Sequence, residues 1–365
     1  MRTQSIMLKK STMRAVLLTG YGGYDQLQYR TDMPRPVPAP GEVLIKVGAC
    51  GVNNTDVWTR EGAYGASEQS GWQGSAFSFP RIQGADSVGR IVAVGAGVHA
   101  DRLGERVMVN PTLYGPSGDG LFEATYLGSE RDGGFAEFVS VPDANAHAIT
   151  STLADHELAS FMTSYLTAEH MLNRAALAAG ETILVTGASG GVGSALVQLA
   201  TIRGAQVVAV IGRGKEAHLA RLGVQSFILR DEPDYAAAWR RQLPTRQIDV
   251  VADVVAGDKV PVLLDLLAVG GRYVTAGAIA GPMVTIDWRK LYLKHLTLLG
   301  ATMGTQEEAR QIVRYVASDQ LKPLIAGIYP LEQLVQAQQA FKTRSHFGKL
   351  VITLSALPTW ASSIA

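Results

Sequence analysis

The segment Thr182 to Leu199 (TILVTGASGGVGSALVQL) limits the possible folds more than any other part of the chain. It is an apolar run rich in β-branched residues, then a turn of small residues, then a helical pattern. A strand that ends in glycines and leads into a helix lets a diphosphate approach backbone N–H groups and the positive end of the helix dipole. The turn is Gly187-Ala188-Ser189-Gly190-Gly191-Val192-Gly193. Set against the dinucleotide fingerprint G-x-G-x-x-G, the register is Ala188, Gly190 and Gly193, with alanine in place of the first glycine. The candidate cradle residues are therefore Ala188, Ser189, Gly190, Gly191, Val192 and Gly193. A glycine-rich strand-to-helix turn without a ligand has the same local pattern, so the residues that follow decide the reading.

Gly204-Ala205 closes the helix, and Gln206 to Ile211 (QVVAVI) reads as a second buried strand, completing a βαβ unit of the expected length. At the end of that strand an acidic residue would bind the ribose hydroxyls of NAD, whereas basic residues accommodate the extra phosphate of NADP. This chain has Gly212-Arg213-Gly214-Lys215 there. A bidentate arginine and a lysine point charge suit a phosphate monoester, which favours NADP(H); the alternative for both is solvated surface charge.

The rest of the chain sets wider bounds. With 365 residues it is long enough for two domains, and 47% apolar with 18% charged residues is ordinary for a globular protein. A net charge of +1 gives no electrostatic case for nucleic acid or an anionic membrane as partner. The single cysteine, Cys50, excludes an intramolecular disulfide and a cysteine-rich zinc site. The basic N-terminus lacks an apolar core of signal-peptide length, and no apolar run approaches a membrane span, so a cytoplasmic protein is expected. Residues 1–12 read as an extension, with Met13 as an alternative start.

Taken in order, Met13 to Leu18 is a strand-like run, and the proline-rich stretch Pro34 to Gly41 forces an extended connection. Glu42 to Ala49, Val88 to Val94 and Arg106 to Val109 read as short strands of a β-rich barrel. Two long insertions, Ala66 to Ser78 and Thr112 to Gly128, carry Trp72, Phe77, Tyr114 and Phe122 and are candidate substrate-facing elements. Ala154 to Leu172 is an amphipathic helical run; strands then alternate with helices at Ser226 to Leu229, Ile248 to Val251, Arg272 to Ala276 and Leu296 to Leu299, which predicts a parallel, doubly wound sheet. The tail, with helices at Glu307 to Ala317 and Leu331 to Phe341, a short strand near Ile325 and another at Lys349 to Leu354, is expected to return to the first domain.

Several separate pieces carry a family resemblance: Gly51-Val52-Asn53-Asn54-Thr55-Asp56 with Arg60-Glu61-Gly62-Ala63-Tyr64; Ile82 to Gly89 (IQGADSVG); Gly104-Glu105-Arg106-Val107; Asp132 to Glu137 (DGGFAE); the cradle; and Gly348-Lys349-Leu350-Val351. In this order and spacing the chain resembles the medium-chain dehydrogenase/reductase superfamily over nearly its whole length. The resemblance implies an α/β protein with a GroES-like β-rich catalytic domain, residues 1–147 and 304–365, and a Rossmann dinucleotide-binding domain, residues 148–303. It further implies NADP(H) and a small-molecule substrate bound between the domains, and a homodimer through edge pairing of the last Rossmann strand.

The zinc branch of that superfamily carries Cys where this chain has Asn53, His where it has Ala85, Glu where it has Asp86, and Cys near Met162. Asn, Ala and Met are poor zinc ligands, so no metal is expected and the chain resembles the zinc-free quinone and enoyl reductases. Their N-x-x-D…G-x-Y element matches Asn53, Asp56 and Tyr64. Carried over by position, Tyr64 is the candidate proton donor and Asn53 a hydrogen-bond partner of substrate or nicotinamide ribose. Asp56 is either part of the catalytic set or a cap on backbone N–H groups. Thr167 matches a threonine that contacts the nicotinamide end of the cofactor, with a helix-interior bond to its own backbone as the alternative. Arg230 is a second candidate for the 2′-phosphate or a surface charge, and Lys349 is carried over as cofactor-binding. The implied chemistry is hydride transfer from NADPH to an activated alkene or quinone, with zinc-free carbonyl reduction and NADPH binding without turnover as alternatives.

Overall fold

The computed structural model describes residues 11–64, 77–115, 123–242 and 247–354. Residues 1–10, most of the Ala66–Ser78 insertion with Trp72, and the centre of the Thr112–Gly128 insertion with Phe122 lie outside the described residues. The chain divides into two compact units, one of Met1–Ser160, Gly327–Arg344 and Leu350–Ala365, the other of Phe161–Ala326 and Ser345–Lys349.

The first unit is built around the strand Glu42–Gly51, which pairs antiparallel with Asp86–Val94, Phe138–Pro142 and Lys349–Thr353. With neighbours on both sides and packing on both faces, its residues Val43, Leu44, Ile45 and Val47 are all buried, and the sequence reads as a near-continuous apolar run. Arg106–Val109, Ala146–Ala148 and Ile325–Pro330 complete this seven-stranded sheet. A second sheet sets Leu27–Pro34 beside Thr12–Leu18, with Arg81–Ile82 on the other side. The strand Leu27–Pro34 gave no sequence signal because it lies at an edge with most of its residues exposed, so polar side chains are tolerated at every position. The tail contributes a 3-10 turn Leu331–Gln333 and the helix Leu334–Thr343 where one helix was expected.

The second unit holds six strands, all paired in parallel, in the order Ser226–Leu229, Gln206–Ile211, Thr182–Val185, Ile248–Asp253, Leu267–Thr275, Thr297–Gly300. The order reverses between Thr182–Val185 and Ile248–Asp253, the switch point where doubly wound sheets open a crevice. On one face, Leu184, Val208, Ile228 and Val251 pack with Trp239, Leu263 and Leu264 into a core in which every one is 5% exposed or less. The helix Met162–Arg174 lies against Gly191–Ile202 and Gln306–Ala317. That packing places residues 304–326 in this unit, whereas the sequence pattern assigns them to the other domain. Thr305 caps Gln306–Ala317, accepting the Glu308 N–H while Glu308 accepts the Thr305 N–H.

The predicted helix over Ala154 to Leu172 is two helices, Asp155–Leu158 and Met162–Arg174. The Ser160 hydroxyl donates to the Glu157 carbonyl at 2.6 Å and competes for that acceptor, and the chain changes unit at this break.

Candidate active site

In the first unit the chemistry-bearing residues sit on one short segment. Asn53 has extended backbone and N-caps the helix Asn54–Arg60. The Asp56 carboxylate accepts the Asn53 backbone N–H at 2.7 Å, and the Asp56 carbonyl accepts the Gln83 amide at 3.0 Å. This is the capping arrangement, with Asp56 only 3% exposed. The Asn53 side-chain amide donates to the Asp86 carboxylate at 2.9 Å, both groups being buried. Sequence reasoning had placed Asn53 and Asp86 separately at metal-ligand positions; the fold makes them a hydrogen-bonded pair. Ala85, beside them, offers no donor atom.

After the helix the backbone turns, with the Glu61 N–H donating to the Val57 carbonyl and the Ala63 N–H to the Trp58 carbonyl. The turn delivers Tyr64 edge-on to the Trp58 ring, with centroids 5.3 Å apart. Burial pushes the Tyr64 phenol up to about 12. The turn is tied down from below. Arg60, 1% exposed, donates to the Gly22 carbonyl at 2.7 Å and to Gln338 Oε1 at 3.0 Å and lies over the Tyr24 ring, while the Glu61 carboxylate receives Lys342 Nζ at 2.6 Å. Tyr114 receives a hydrogen bond from the Asn110 amide, and Phe77 is buried.

In the second unit the expected cradle joins Thr182–Val185 to the helix Gly191–Ile202. Its N-cap is Gly190, so no side chain satisfies the first-turn N–H groups. The glycines are needed for close approach. A Cβ at Gly193 would lie 2.1 Å from the Gly187 carbonyl oxygen, whereas one at Gly190 would meet only that same oxygen at 3.4 Å. Gly193 therefore packs helix on strand, and Gly190 leaves the cradle open. Above Gly191 lie the Ser164 hydroxyl and the side-chain carbons of Lys349, which is 4% exposed; a Cβ at Gly191 would come within 2.6 Å of the former and 3.1 Å of the latter. Ser164 escaped the sequence reading because one more small polar residue in an amphipathic helix carries no spacing signal.

The candidate phosphate-binding residues separate into two groups. Lys215 Nζ donates to the His346 carbonyl at 2.9 Å and reaches Ser189 Oγ at 3.4 Å; burial and the nearby Arg230 charge lower its pKa. Lys215, Ser189 and Arg230 are thus brought together at one end of the cradle. Arg213 points elsewhere and pairs with Asp231 at 2.9 Å, both side chains exposed. Thr167 Oγ1 donates to the Thr163 carbonyl at 2.7 Å, the backbone-bonded arrangement. Met162 opens the same helix. Also unforeseen was a buried cluster of Thr186, Asp253 and Tyr273 beneath the cradle, whose one sequence trace is an acid closing an apolar strand. Among the described residues, no group of three or more His, Cys, Asp or Glu is arranged to hold a metal ion.

Comparison with known proteins bears on both units. The family model of the alcohol dehydrogenase GroES-like domain matches residues 39–151, and that of the zinc-binding dehydrogenase matches residues 191–318. Quinone oxidoreductase of Mus musculus is 31% identical over 354 residues, covering 94% of this chain and 98% of the relative. A solved structure of a "putative alcohol dehydrogenase" from Sinorhizobium meliloti 1021 superposes with a TM-score of 0.90 at 51% identity, covering 94% of this chain and 97% of that one. A solved NAD-dependent alcohol dehydrogenase superposes at 0.86 with 29% identity, covering 94% and 100%.

Proposed function

The chain belongs to the medium-chain dehydrogenase/reductase family and is a nicotinamide-dependent oxidoreductase, and from that premise we propose that it reduces activated alkenes, α,β-unsaturated carbonyl compounds or quinones, with NADPH and without zinc. The observation that carries the proposal is the Asn53–Asp86 pair. A catalytic zinc site needs three good protein ligands. At the positions that hold them in the zinc branch, this chain offers an amide already donating to a carboxylate, the methyl group of Ala85 and the thioether of Met162. That set does not fit the metal, so side chains must manage the charge that develops on the substrate.

When bound, the reduced nicotinamide supplies a hydride, two electrons and one hydrogen, to the β-carbon of the alkene. Tyr64 supplies the proton. Its phenol, held near 12, stays protonated at neutral pH and donates to the α-carbon or the enolate oxygen, recovering its proton from water. Transfer to the α-carbon runs downhill because that carbon is the conjugate base of a far weaker acid, whereas transfer to the enolate oxygen is close to balanced. Asn53 orients the substrate or the nicotinamide ribose, and Asp56 holds the Asn53 turn in place. On the cofactor side, the N–H groups of residues 190–193 with Ala188 cradle the diphosphate, Lys349 adds positive charge, and Thr167 borders the nicotinamide end. Lys215, Arg230 and Ser189 receive the 2′-phosphate, with Arg213 released from Asp231 as a further contributor.

Mixing the protein and NADPH with an enone and, separately, with its saturated ketone tests the reading. Oxidation of NADPH with the enone alone supports it. Oxidation with the ketone alone supports carbonyl reduction by the same hydride, a second reading that the description of the Sinorhizobium meliloti neighbour favours. Tight NADPH binding with no turnover on enones, quinones or aldehydes would make the protein a cofactor-binding subunit. The proposal includes a homodimer. Thr297–Gly300 closes one edge of its sheet, and Leu298, Trp288, Tyr292 and Leu293 are exposed around it, so pairing with a second copy would cover them. Light scattering on the purified protein reads this directly. A cytoplasmic setting is part of the same reading, supported by a sequence that holds one cysteine and so cannot close a disulfide within the chain. Among the described residues, no helix is long and apolar enough to cross a membrane.

A further inference from the structure

Beneath the cradle, within the second unit, Asp253 closes the strand Ile248–Asp253 and is completely buried. One carboxylate oxygen accepts the Thr186 hydroxyl and the backbone N–H groups of Val255 at 2.8 Å and Ala256 at 3.2 Å. The other accepts the Tyr273 hydroxyl at 2.5 Å and the Ala256 N–H at 3.1 Å. The Thr186 hydroxyl in turn accepts the Val254 N–H at 3.1 Å. Three consecutive N–H groups are thereby folded round a single carboxylate, directly or through Thr186. Burial and the adjacent Asp253 raise the Tyr273 phenol, which keeps it a donor across the working pH range.

Two features give this cluster a role beyond closing the sheet. First, Ala256 is held at φ 57 and ψ −142, a backbone region that glycine takes freely and alanine does not. Such a conformation persists only where the surroundings impose it, and here the turn is held by the hydrogen bonds to Asp253 together with one from the Ala280 N–H to the Val255 carbonyl at 2.8 Å. Second, the turn presses on the cradle: a Cβ at Gly187 would lie 3.2 Å from a methyl of Val254 and 3.2 Å from one of Val255, and Gly187 is itself the residue whose carbonyl packs against Gly193. The topology then says which part of the cradle is affected. Lys215 and Ser189 lie on the Gln206–Ile211 side of Thr182–Val185, and residues 254–256 follow the strand on its other side, across the switch point. A dinucleotide bound at a switch point places its two halves on those two sides.

We propose that Asp253 is a positioning residue for the nicotinamide half of the cofactor: its hydrogen bonds to Thr186, Tyr273, Val255 and Ala256 hold the strained 254–256 turn against Gly187 and so set the half of the binding surface opposite Lys215. This rests on the reading that the cradle binds a nicotinamide dinucleotide. Asp253, being buried, acts only through the turn.

The test compares two ligands on one variant. Asp253→Asn keeps the side-chain shape but replaces one acceptor with a donor that cannot serve the same N–H and O–H groups. Binding of NADPH and of 2′,5′-ADP, which carries only the adenosine half, is measured by calorimetry beside the melting temperature. The expected result is a rise in the NADPH Kd of about tenfold, the worth of one hydrogen bond to a charged group, with the 2′,5′-ADP Kd held within about twofold. Adding Ala256→Gly, which lets the turn take positive φ without being forced, is expected to restore most of the NADPH affinity. Should Asp253→Asn fail to fold, Tyr273→Phe removes one donor and is expected to split the two ligands in the same direction by a smaller factor. Equal weakening of both ligands, or NADPH affinity unchanged in every variant, overturns the proposal. Wild-type protein that binds 2′,5′-ADP but neither NADPH nor NADH removes the premise instead, and the proposal with it.

Discussion

Replacing Lys215 with alanine separates the two cofactors. Lys215 Nζ rests on the His346 carbonyl and near Ser189 Oγ, and Arg230 is close enough to lower its pKa, so a phosphate monoester arriving there meets two cations and a hydroxyl. A charge-assisted hydrogen bond is worth about 1.5–3 kcal/mol, or roughly 10- to 150-fold in Kd. Because Arg230 remains in the variant, Lys215→Ala should fall near the lower limit, about tenfold weaker for NADPH, with NADH unchanged because it lacks the phosphate. Lys215→Glu adds repulsion and should exceed that loss. Titrations followed by nucleotide fluorescence, repeated across ionic strength, give both values; the wild type is expected to prefer NADPH, and that preference should shrink with added salt. The pH dependence has a defined sign. Since burial and Arg230 lower the pKa of Lys215, NADPH affinity should begin to fall with rising pH earlier than an ordinary lysine would allow, while NADH affinity stays flat. Equal losses for NADPH and NADH, or no loss for either, would refute the assignment.

Two further predictions concern other groups. Tyr64→Phe should slow alkene reduction by about a hundredfold, the usual worth of a general acid, with NADPH affinity retained; turnover at the wild-type rate would reject Tyr64 as the donor. Glu308 governs an acid transition: burial alone would push its carboxyl up, but hydrogen bonds from His170, the Thr305 N–H and Asn173 bring it down to about 2 from the model-peptide value of 4.5. A carboxyl with a depressed folded-state pKa stabilises above its unfolded value and loses that contribution as pH falls through the folded one, so about 3 kcal/mol should disappear between pH about 4.5 and 2. Urea unfolding of Glu308→Gln should give a flatter profile over that interval, and a slope identical to wild type would contradict the reasoning.

The glycine turn was legible in the sequence because its constraints are steric and local: Gly193 stands where a Cβ would strike the Gly187 carbonyl and Gly190 caps the helix that follows, and such positions leave a fixed spacing. The parallel sheet was legible because the centres of its strands, Ile183 to Val185, Val208 to Ile211 and Val250 to Ala252, are buried and apolar without interruption. The strand Leu27–Pro34 was not, since an exposed edge leaves no alternation. The break at Ser160 depends on a side-chain hydrogen bond and a change of unit, neither of which disturbs the apolar periodicity. In the site, the sequence pattern singled out Asn53, Asp56 and Tyr64 but not that Asn53 is bonded to Asp86, because that pairing spans 33 residues and two elements. Arg213 and Lys215 look equivalent in the run Arg213-Gly214-Lys215; only the fold turns one to Asp231 and the other to the cradle. Asp253 was missed because a buried carboxylate is identified by its donors, and Thr186, just past the end of one neighbouring strand, and Tyr273, within another, are far from it in sequence.

The role proposed for Tyr64 depends on two-electron reduction proceeding without a metal. Purified protein should be dialysed against a strong chelator, assayed for zinc and other transition metals by mass spectrometry, and then given NADPH and an enone. Sub-stoichiometric metal and undiminished turnover are expected; one zinc per chain, removed together with activity and restored together with it, would mean that a Lewis acid does the work assigned to Tyr64.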